Sequence, residues 1–524
     1  MDRFWLYWNL NPDKTITFED RYAMANGYPP ADDHQDYSVI GGSKNSTWLF
    51  MSFKRKLDTC DSQDRPITAD TLRVLYTVND RVPANSEDIV KHAKLNRGSR
   101  AVFFFDLKDF QPPPKTSDGG PIHRWDVLSN GAKLPEDYHT MYWCKVVQRK
   151  AGGKVHMIRY QPYIQPGHEP YVHHMIFYGC TIDMSQWLGR EQPCWTYTKE
   201  GSPINFSAMK YCSQLLIAAW AEGDTAHIYP DNVGFPLFEE GGPEYYMLQV
   251  HYDNSNYDKN ITDSSGMTMF YTTDLRPQEA AMLTLSVPVE PYSAMVPPGM
   301  ARFYQYGMCL SECTNQIPKE GYTIFSGFIH MHLLGKSAKV RHFRNGKELK
   351  PILVDNNWYY NYQQVRMLRK PYPKIFPGDE LLMECGWDSE TKQTTTIGGD
   401  GTSNEMCFVL LEYFPRPTKY LGYCYNGYDW KNTLKNLFGI QNTRTVPKTS
   451  ILEVQLANGT WDTFNHHFTK DVDWGSYTRN RNRNRKSKLS LAERYQLAVR
   501  NSPQRGGCVV TDSSVPVTDP DKTV

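Results

Sequence analysis

Apolar and aromatic runs of eight or nine residues, separated by stretches rich in Gly, Pro, Asn and Asp, recur along the chain: STWLFMSF (46–53), TLRVLYTV (71–78), RAVFFFDL (100–107), YYMLQVHYD (245–253) and MCFVLLEYF (406–414). Runs of that length suit strands better than helices, and the turn residues between them supply the reversals that sheets need. The expected fold is therefore mainly β. One stretch departs from this texture: MKYCSQLLIAAWAEG (209–223), whose apolar spacing predicts a short helix. A chain of 524 residues has room for about three ordinary domains. Breaks at DFQPPPKTSDGG (109–120) and VPVEPYSAMVPPG (287–299), and a loosening after 426, mark four segments: 1–110, 122–285, 286–425 and a polar, irregular tail at 426–524. No repeat of fixed period is visible.

With 40% hydrophobic and 22% charged residues the composition is globular, and a formal charge of +1 leaves no footprint for nucleic acid. The basic run RNRNRNRKSK (479–488) reads as a solvated, flexible tail. No apolar stretch approaches the roughly 20 residues that cross a bilayer. Eleven cysteines scattered singly, without a zinc-ribbon repeat, favour a disulfide framework. Four glycosylation acceptors, at Asn45, Asn205, Asn260 and Asn458, agree with it and point to the secretory pathway, extracellular or in a vesicle or endoplasmic-reticulum lumen. The opening MDRFWLYWNL has no charged region followed by a long apolar one, so no signal peptide is visible. The start is expected to be incomplete, with the first strands of the first domain missing.

Histidines inside apolar strands carry the chemistry. GYTIFSGFIHMHLLGK (321–336) sets His330 and His332 two residues apart, which on a strand puts both imidazoles on one face. YVHHMIFYGC (171–180) contains the adjacent His173 and His174, and MLQVHYDN (247–254) contains His251. Neighbours on a regular strand face opposite ways, so a metal shared by His173 and His174 requires a bulge or a strand end. In GTSNEMCFVLLEYFP (401–415), Met406 stands before Cys407 at the start of a strand. Singly, a strand histidine is usually a hydrogen-bonded structural residue and a methionine is core filler. Together they make one all-imidazole group and one group of two imidazoles and a thioether, on either side of the joint near 290. Three nitrogens serve zinc or copper, but a thioether is a soft donor that favours Cu(I). Two copper sites with unlike ligands imply redox chemistry, one ion passing an electron and the other meeting dioxygen.

The order HHM, VHY, HMHLLGK, NEMC resembles the copper type II, ascorbate-dependent monooxygenases, most closely their dopamine β-hydroxylase-like (DBH-like) branch. YWCKVV (142–147), AAWAEG (218–223), DSSGM (263–267), VRMLRKPYP (365–373), IFPGDELLMECGWD (375–388) and TTIGGDGTSNEMC (395–407) extend the likeness over 122–425. Upstream, DRYAMANGYPPADDHQDY (20–37) and FKRKLDTCDSQDRPIT (53–68) are similar to the later strands of a DOMON domain, which makes 1–110 a partial one. The resemblance implies two jelly-roll-like β-sandwich copper domains, at 122–285 and 286–425. It gives the electron-transfer copper to His173, His174 and His251, and the oxygen-activating copper to His330, His332 and Met406. Two copper ions, ascorbate as reductant, dioxygen and hydroxylation of a substrate C–H bond go with it, and a homo-oligomer is compatible with it. It assigns catalytic positions to Tyr142 and His330, although Tyr142 beside Trp143 and Cys144 reads equally as core packing. By the same resemblance Cys144 pairs with Cys194, Cys180 with Cys212, Cys309 with Cys424 and Cys385 with Cys407, while Cys313 and Cys60 compete for Cys508. No nucleotide or flavin fingerprint is needed.

For the substrate, the peptide-hydroxylating branch has an arginine two residues before its first HxH histidine and an asparagine two residues after its methionine. This chain has Phe328 and Phe408 there. A carboxylate buried against phenyl rings is costly, so glycine-extended peptides are not expected. Walls of Phe328, Phe408 and Leu410, with Tyr413 nearby, suit a small aromatic or hydrophobic molecule, and no carboxylate is clearly placed to meet an amine. The alternatives are a catalytically inactive secreted DOMON and copper-binding protein, and a zinc hydrolase. The latter needs an acidic base near the metal, and Glu405 would point away on a strand. His466 and His467, in the polar tail, lack a following ligand set. His168 and His227 read as surface or supporting hydrogen-bonding residues.

Overall fold

The computed structural model describes residues 3–10, 15–23, 29–45, 49–78, 88, 96–105, 119–197, 203–205, 212, 215–399, 401–446, 451–476, 489–502 and 504–512. The basic run and most of the first joint fall outside them. The chain forms two compact units, Met1–Phe105 and Asp106–Val524. The first contains three antiparallel pairs: Arg3–Leu10 with Ile16–Ala23, Ser38–Lys44 with Leu49–Lys54, and Leu72–Thr77 with Arg97–Val102.

Two sandwiches build the second unit. In the first, one sheet runs in the order Pro203–Asn205, Glu191–Tyr197, Thr140–Gln148, Tyr245–Asp253, Val172–Gly179, Leu215–Ala221. The opposing sheet includes Val155–Tyr163, Gly266–Thr272 and His123–Leu128. Phe177, Leu248 and Val250 from one sheet meet Trp125, Met157 and Met267 from the other in a single core. In the second sandwich, Tyr322–Met331, Cys407–Phe414, Ala281–Ser286, Lys419–Tyr428 and Gln504–Asp512 lie side by side in that order, and a sheet of Phe303–Cys309, Glu380–Trp387 and Gly335–Arg344 covers them. Ile324, Val409 and Leu411 pack there against Phe303, Val340 and Trp387.

Two expectations need correction. The stretch read as a helix at 209–223 contains instead the strand Leu215–Ala221, antiparallel to Val172–Gly179; residues 209–211, 213 and 214 are outside the described set. Ile217, Ala218 and Trp220 enter the first core, whereas Leu216, Ala219 and Ala221 join a separate apolar cluster on the other face. A strand covered on both sides shows an unbroken apolar run, which periodicity does not distinguish from a buried helix. The described residues after 426 also do not form an irregular tail. Helices Trp430–Phe438 and Leu491–Asn501 bury Leu434, Tyr495 and Val499 in the second core, and Gln504–Asp512 completes its sheet. Its polar composition hides a stripe at Leu491, Tyr495 and Val499, four residues apart.

The disulfides are Cys144–Cys194, Cys180–Cys212, Cys309–Cys424, Cys385–Cys407 and Cys313–Cys508, so Cys508 pairs with Cys313, and Cys60 is free and exposed. Asn45, Asn260 and Asn458 are exposed, as acceptors must be; the side chain of Asn205 is outside the described set. Gly335 follows the HMHLL turn, where an added Cβ would stand 2.5 Å from the Trp358 ring and 2.9 Å from Met331 Cβ. Gly335→Ala is therefore expected to destabilise the chain by about 1–3 kcal/mol in denaturant unfolding. An unchanged midpoint would show that the Trp358 ring gives way freely.

Candidate metal centre

The double histidine lies where the strand ladder is irregular. Val172 pairs with Tyr252 but His174 with His251, so the register shifts at His173. That bulge turns both imidazoles of the pair to one side, which a regular strand forbids. The Nδ1 atoms of His173, His174 and His251 then converge, with separations of 3.0, 3.2 and 3.3 Å. Such spacings fit donors to one ion with metal–nitrogen bonds near ~2 Å. Thr140 Oγ1 lies 2.6 Å from His251 Nε2, and Tyr142 stacks flat on the His251 ring at 4.2 Å, so a hydroxyl and an aromatic face fix that imidazole. Burial pushes His173 down to about 3, and pushes His174 and His251 well below the ordinary histidine value. All three are therefore neutral at physiological pH, as ligation requires.

The second group comes from the first two strands of the second sandwich. His330 pairs with Phe408 and Met331 with Cys407, the last pair of that ladder; half-buried Met406 directly precedes Cys407, and His332 directly follows Met331. His330 and His332 share a face, with ring centroids 5.1 Å apart. Their Nδ1 atoms are held from behind, His330 by Gln363 Oε1 at 2.8 Å and His332 by the Asn404 carbonyl at 3.0 Å, which leaves each Nε2 for a metal. Burial pushes His332 down to about 4 and His330 well below the ordinary value. Glu405 accepts the backbone N–H groups of His332 and Leu334 at 3.1 and 2.7 Å. Its carboxyl thus braces the HMH turn and does not offer a base to the donor cluster.

The two groups meet. His174 and His330 lie edge to face, 6.1 Å between centroids, and Tyr360 from the second sandwich stacks on His173 at 4.6 Å. The segment that carries Tyr360 and Gln363 is tied to the first sandwich by Gln363 N–H to the Glu222 carbonyl (3.1 Å) and Val365 N–H to Asp224 (2.9 Å). Tyr360, Gln363 and Thr140 were missed at the sequence level, because nothing in their spacing marks a residue that acts through a distant histidine.

Beside the second group lies the apolar cluster of Phe328, Leu410, Val365, Ala219 and Ala221, with Phe408 packed against it. Phe328, Leu410, Val365 and Ala219 line a small cavity together with Tyr160, Ser326 and Glu412. Phe408 also packs on His330 at 4.5 Å. Tyr413 is not part of this wall, which corrects that expectation: odd in parity to Phe408 and Leu410, it faces the core, stacked on Tyr322 at 3.8 Å. Glu412 is a carboxylate that the sequence reading did not place. Burial alone would raise its carboxyl, but His227 at 2.9 Å and hydrogen bonds from Ser326 and Tyr229 bring it below the ordinary value. His227 is fully buried rather than superficial, and half-buried His168 pairs with Asp263 at 2.8 Å. His466 is exposed beside Asp462 and Asp471, and His467 Nδ1 lies 3.7 Å from Asp471.

Models of known families match most of the chain. Residues 125–259 match the N-terminal domain, and 278–437 the C-terminal domain, of copper type II ascorbate-dependent monooxygenases; 4–79 match the DOMON domain. MOXD1 homolog 1 of Drosophila melanogaster is 32% identical over 402 residues, 75% of this chain and 56% of that protein. Human DBH-like monooxygenase protein 1 is 32% identical over 405 residues, 76% of this chain and 63% of that protein. Rat dopamine beta-hydroxylase is 30% identical over 465 residues, 87% and 72% respectively. The chain thus spans less than two thirds of the first two relatives and more than two thirds of the third.

Thr140→Val removes the oxygen at His251 Nε2 while keeping the strand residue β-branched. It should weaken Cu(II) binding at the first group about 10–100-fold in chelator competition and leave the second group unchanged; equal affinity at both would assign His251's orientation to packing alone.

Proposed function

The chain belongs to the copper type II, ascorbate-dependent monooxygenase family, and from that premise we propose that it hydroxylates a C–H bond of a small aromatic or hydrophobic molecule. Copper and ascorbate are the family's cofactors. The observation that carries the reading is the meeting of the three-histidine group with the His330–His332 pair at one seam, the His174 and His330 ring centroids 6.1 Å apart, beside an apolar cluster. His173, His174 and His251 would hold the ion that receives electrons from ascorbate, and His330, His332 and Met406 the ion that meets dioxygen. Bound copper supplies the one-electron chemistry that links ascorbate to dioxygen. In the overall balance, one oxygen atom enters the C–H bond as hydroxyl. The other leaves as water, with two electrons from ascorbate and two protons.

The chain's own side chains position the partners. Tyr142, flat against His251, would hold a ligand ring in place. Phe328, Leu410, Val365 and Ala219 would exclude water and receive the hydrophobic body of the substrate. A peptide carboxylate would meet phenyl rings there and stay unpaired. Glu412 is already engaged by Tyr229, Ser326 and His227, so a substrate amine would have to displace one of them. Five disulfides fit the oxidising secretory pathway, and the extracellular space or a vesicle or reticulum lumen belongs to the same proposal.

Copper-loaded protein, given ascorbate and a panel of neutral aromatics, aryl-ethylamines and glycine-extended peptides, should take up oxygen and release a hydroxylated product with an aromatic compound. Faster turnover of the peptide would overturn the pocket assignment, and two bound coppers without any turnover would favour the inactive copper-binding reading. His332→Ala should bind one copper equivalent fewer and lose turnover by about 100-fold or more. Full activity in that variant would remove His332 from the ligand set.

A further inference from the structure

One buried carboxylate in the second unit has no part in holding copper. Glu412, on the strand Cys407–Phe414, lines the small cavity together with two hydroxyl-bearing side chains, Tyr160 and Ser326, and the other lining side chains are apolar. All three polar residues are buried. Tyr229 donates to Glu412 Oε1 at 3.0 Å, Ser326 donates to Oε2, and His227 Nε2 lies 2.9 Å from that second oxygen. Burial opposes ionisation, but the charge of His227 and these bonds hold the Glu412 carboxyl below its ordinary value. The anion therefore has its counter-charge already in place.

The hydrogen-bonding capacity left over is all of one kind. A carboxylate accepts at about four positions; Tyr229, Ser326 and His227 occupy three, and Oε1 keeps one. The Tyr160 hydroxyl is spent on the Ala219 carbonyl at 3.2 Å and the Ser326 hydroxyl on Glu412, so each retains lone pairs but no proton to give. Among the described residues, the side chains of the cavity accept hydrogen bonds and donate none. The strand register sets where this polar group lies. Ser326 pairs with Glu412, Phe328 with Leu410 and His330 with Phe408, so the three pairs follow one another on one face. Four residues separate Ser326 from His330, about 13 Å of strand. A hydrogen bond made at Glu412 would hold a ligand by the end away from the histidines, with its apolar body along Phe328 and Leu410.

Resting on the reading of a hydrophobic substrate beside the second histidine group, we propose that Glu412, with Ser326 and Tyr160, determines specificity by selecting a substrate that carries a neutral hydroxyl group at the end remote from the reacting C–H bond. A hydroxyl brings one proton to the one position that Glu412 keeps. An ammonium would bring three N–H donors and a second cation to an anion that His227 already balances. A carboxylate would face the charge of Glu412, and an ether or ketone oxygen would find no donor.

The test titrates the copper-loaded full chain by calorimetry, without ascorbate, with 4-ethylphenol, with 4-ethyltoluene, which has a methyl in place of the hydroxyl, and with 4-ethylbenzylamine, which puts an ammonium at that end. The phenol should bind about 10–100-fold more tightly than the toluene, and the amine no more tightly than the toluene. With ascorbate and oxygen the same preference should appear in KM rather than kcat, because the bond is remote from the reacting atoms. Glu412→Gln replaces one acceptor oxygen by N–H donors and should shrink the preference to about threefold or less. Equal affinity for phenol and toluene, tighter binding of the amine, or a preference retained in Glu412→Gln would overturn the assignment and leave the hydrophobic-pocket reading standing. If none of the three binds, that reading fails and takes this one with it. If the variant does not fold, the parent's order of affinities decides.

Discussion

Five imidazoles buried side by side can be tolerated only if all are neutral. Charging any of them would put a buried cation among its like. The structure meets that constraint with one partner per ring where the geometry allows it: Thr140 behind His251, Gln363 behind His330 and the Asn404 carbonyl behind His332. The remaining ring atoms face inward. What would be an electrostatic liability in a simple core thereby becomes two sets of lone pairs awaiting a metal.

The same constraint explains why the seam between the sandwiches is so ordered. Tyr360 and Gln363 belong to the second sandwich, yet the first covers His173 and the backbone N–H of the second reaches Glu222 of the first. The first donor set is thus supported directly from the other side, and the second through Gln363, whose segment is anchored on the Glu222 carbonyl of the first sandwich. Strand alternation then arranges what lies next to the second histidine group. Ser326, Phe328 and His330 share a face with Glu412, Leu410 and Phe408, so a polar end, an apolar middle and a donor cluster follow one another along two paired strands. The bulge between Ile324 and Ser326 starts this arrangement by setting the parity of the residues after it.

Legibility in the sequence followed the range of the interactions. The histidine spacing in HMH needs only strand alternation, and it was readable. The bulge demanded by HH was also readable as a requirement, and the ladder shift at His173 meets it. The Leu215–Ala221 strand was misread because cover on both faces erases its period, and with it went the contribution of Ala219 to the cavity. The region beyond 426 was misread because average polarity conceals the Leu491, Tyr495, Val499 stripe. Tyr413 needed no tertiary information: counting by two from Phe408 excludes it.

The sequence by itself determined the strand-rich class, the donor types and the family likeness, because residue chemistry and short periodicity are properties of local order. It could not decide which imidazole nitrogen faces the metal, how Thr140, Tyr360 and Gln363 serve histidines far along the chain, or that His227 and Glu412 share one buried space. Those depend on pairings between residues separated by tens to hundreds of positions, and only packing of the sheets brings such residues within hydrogen-bond distance.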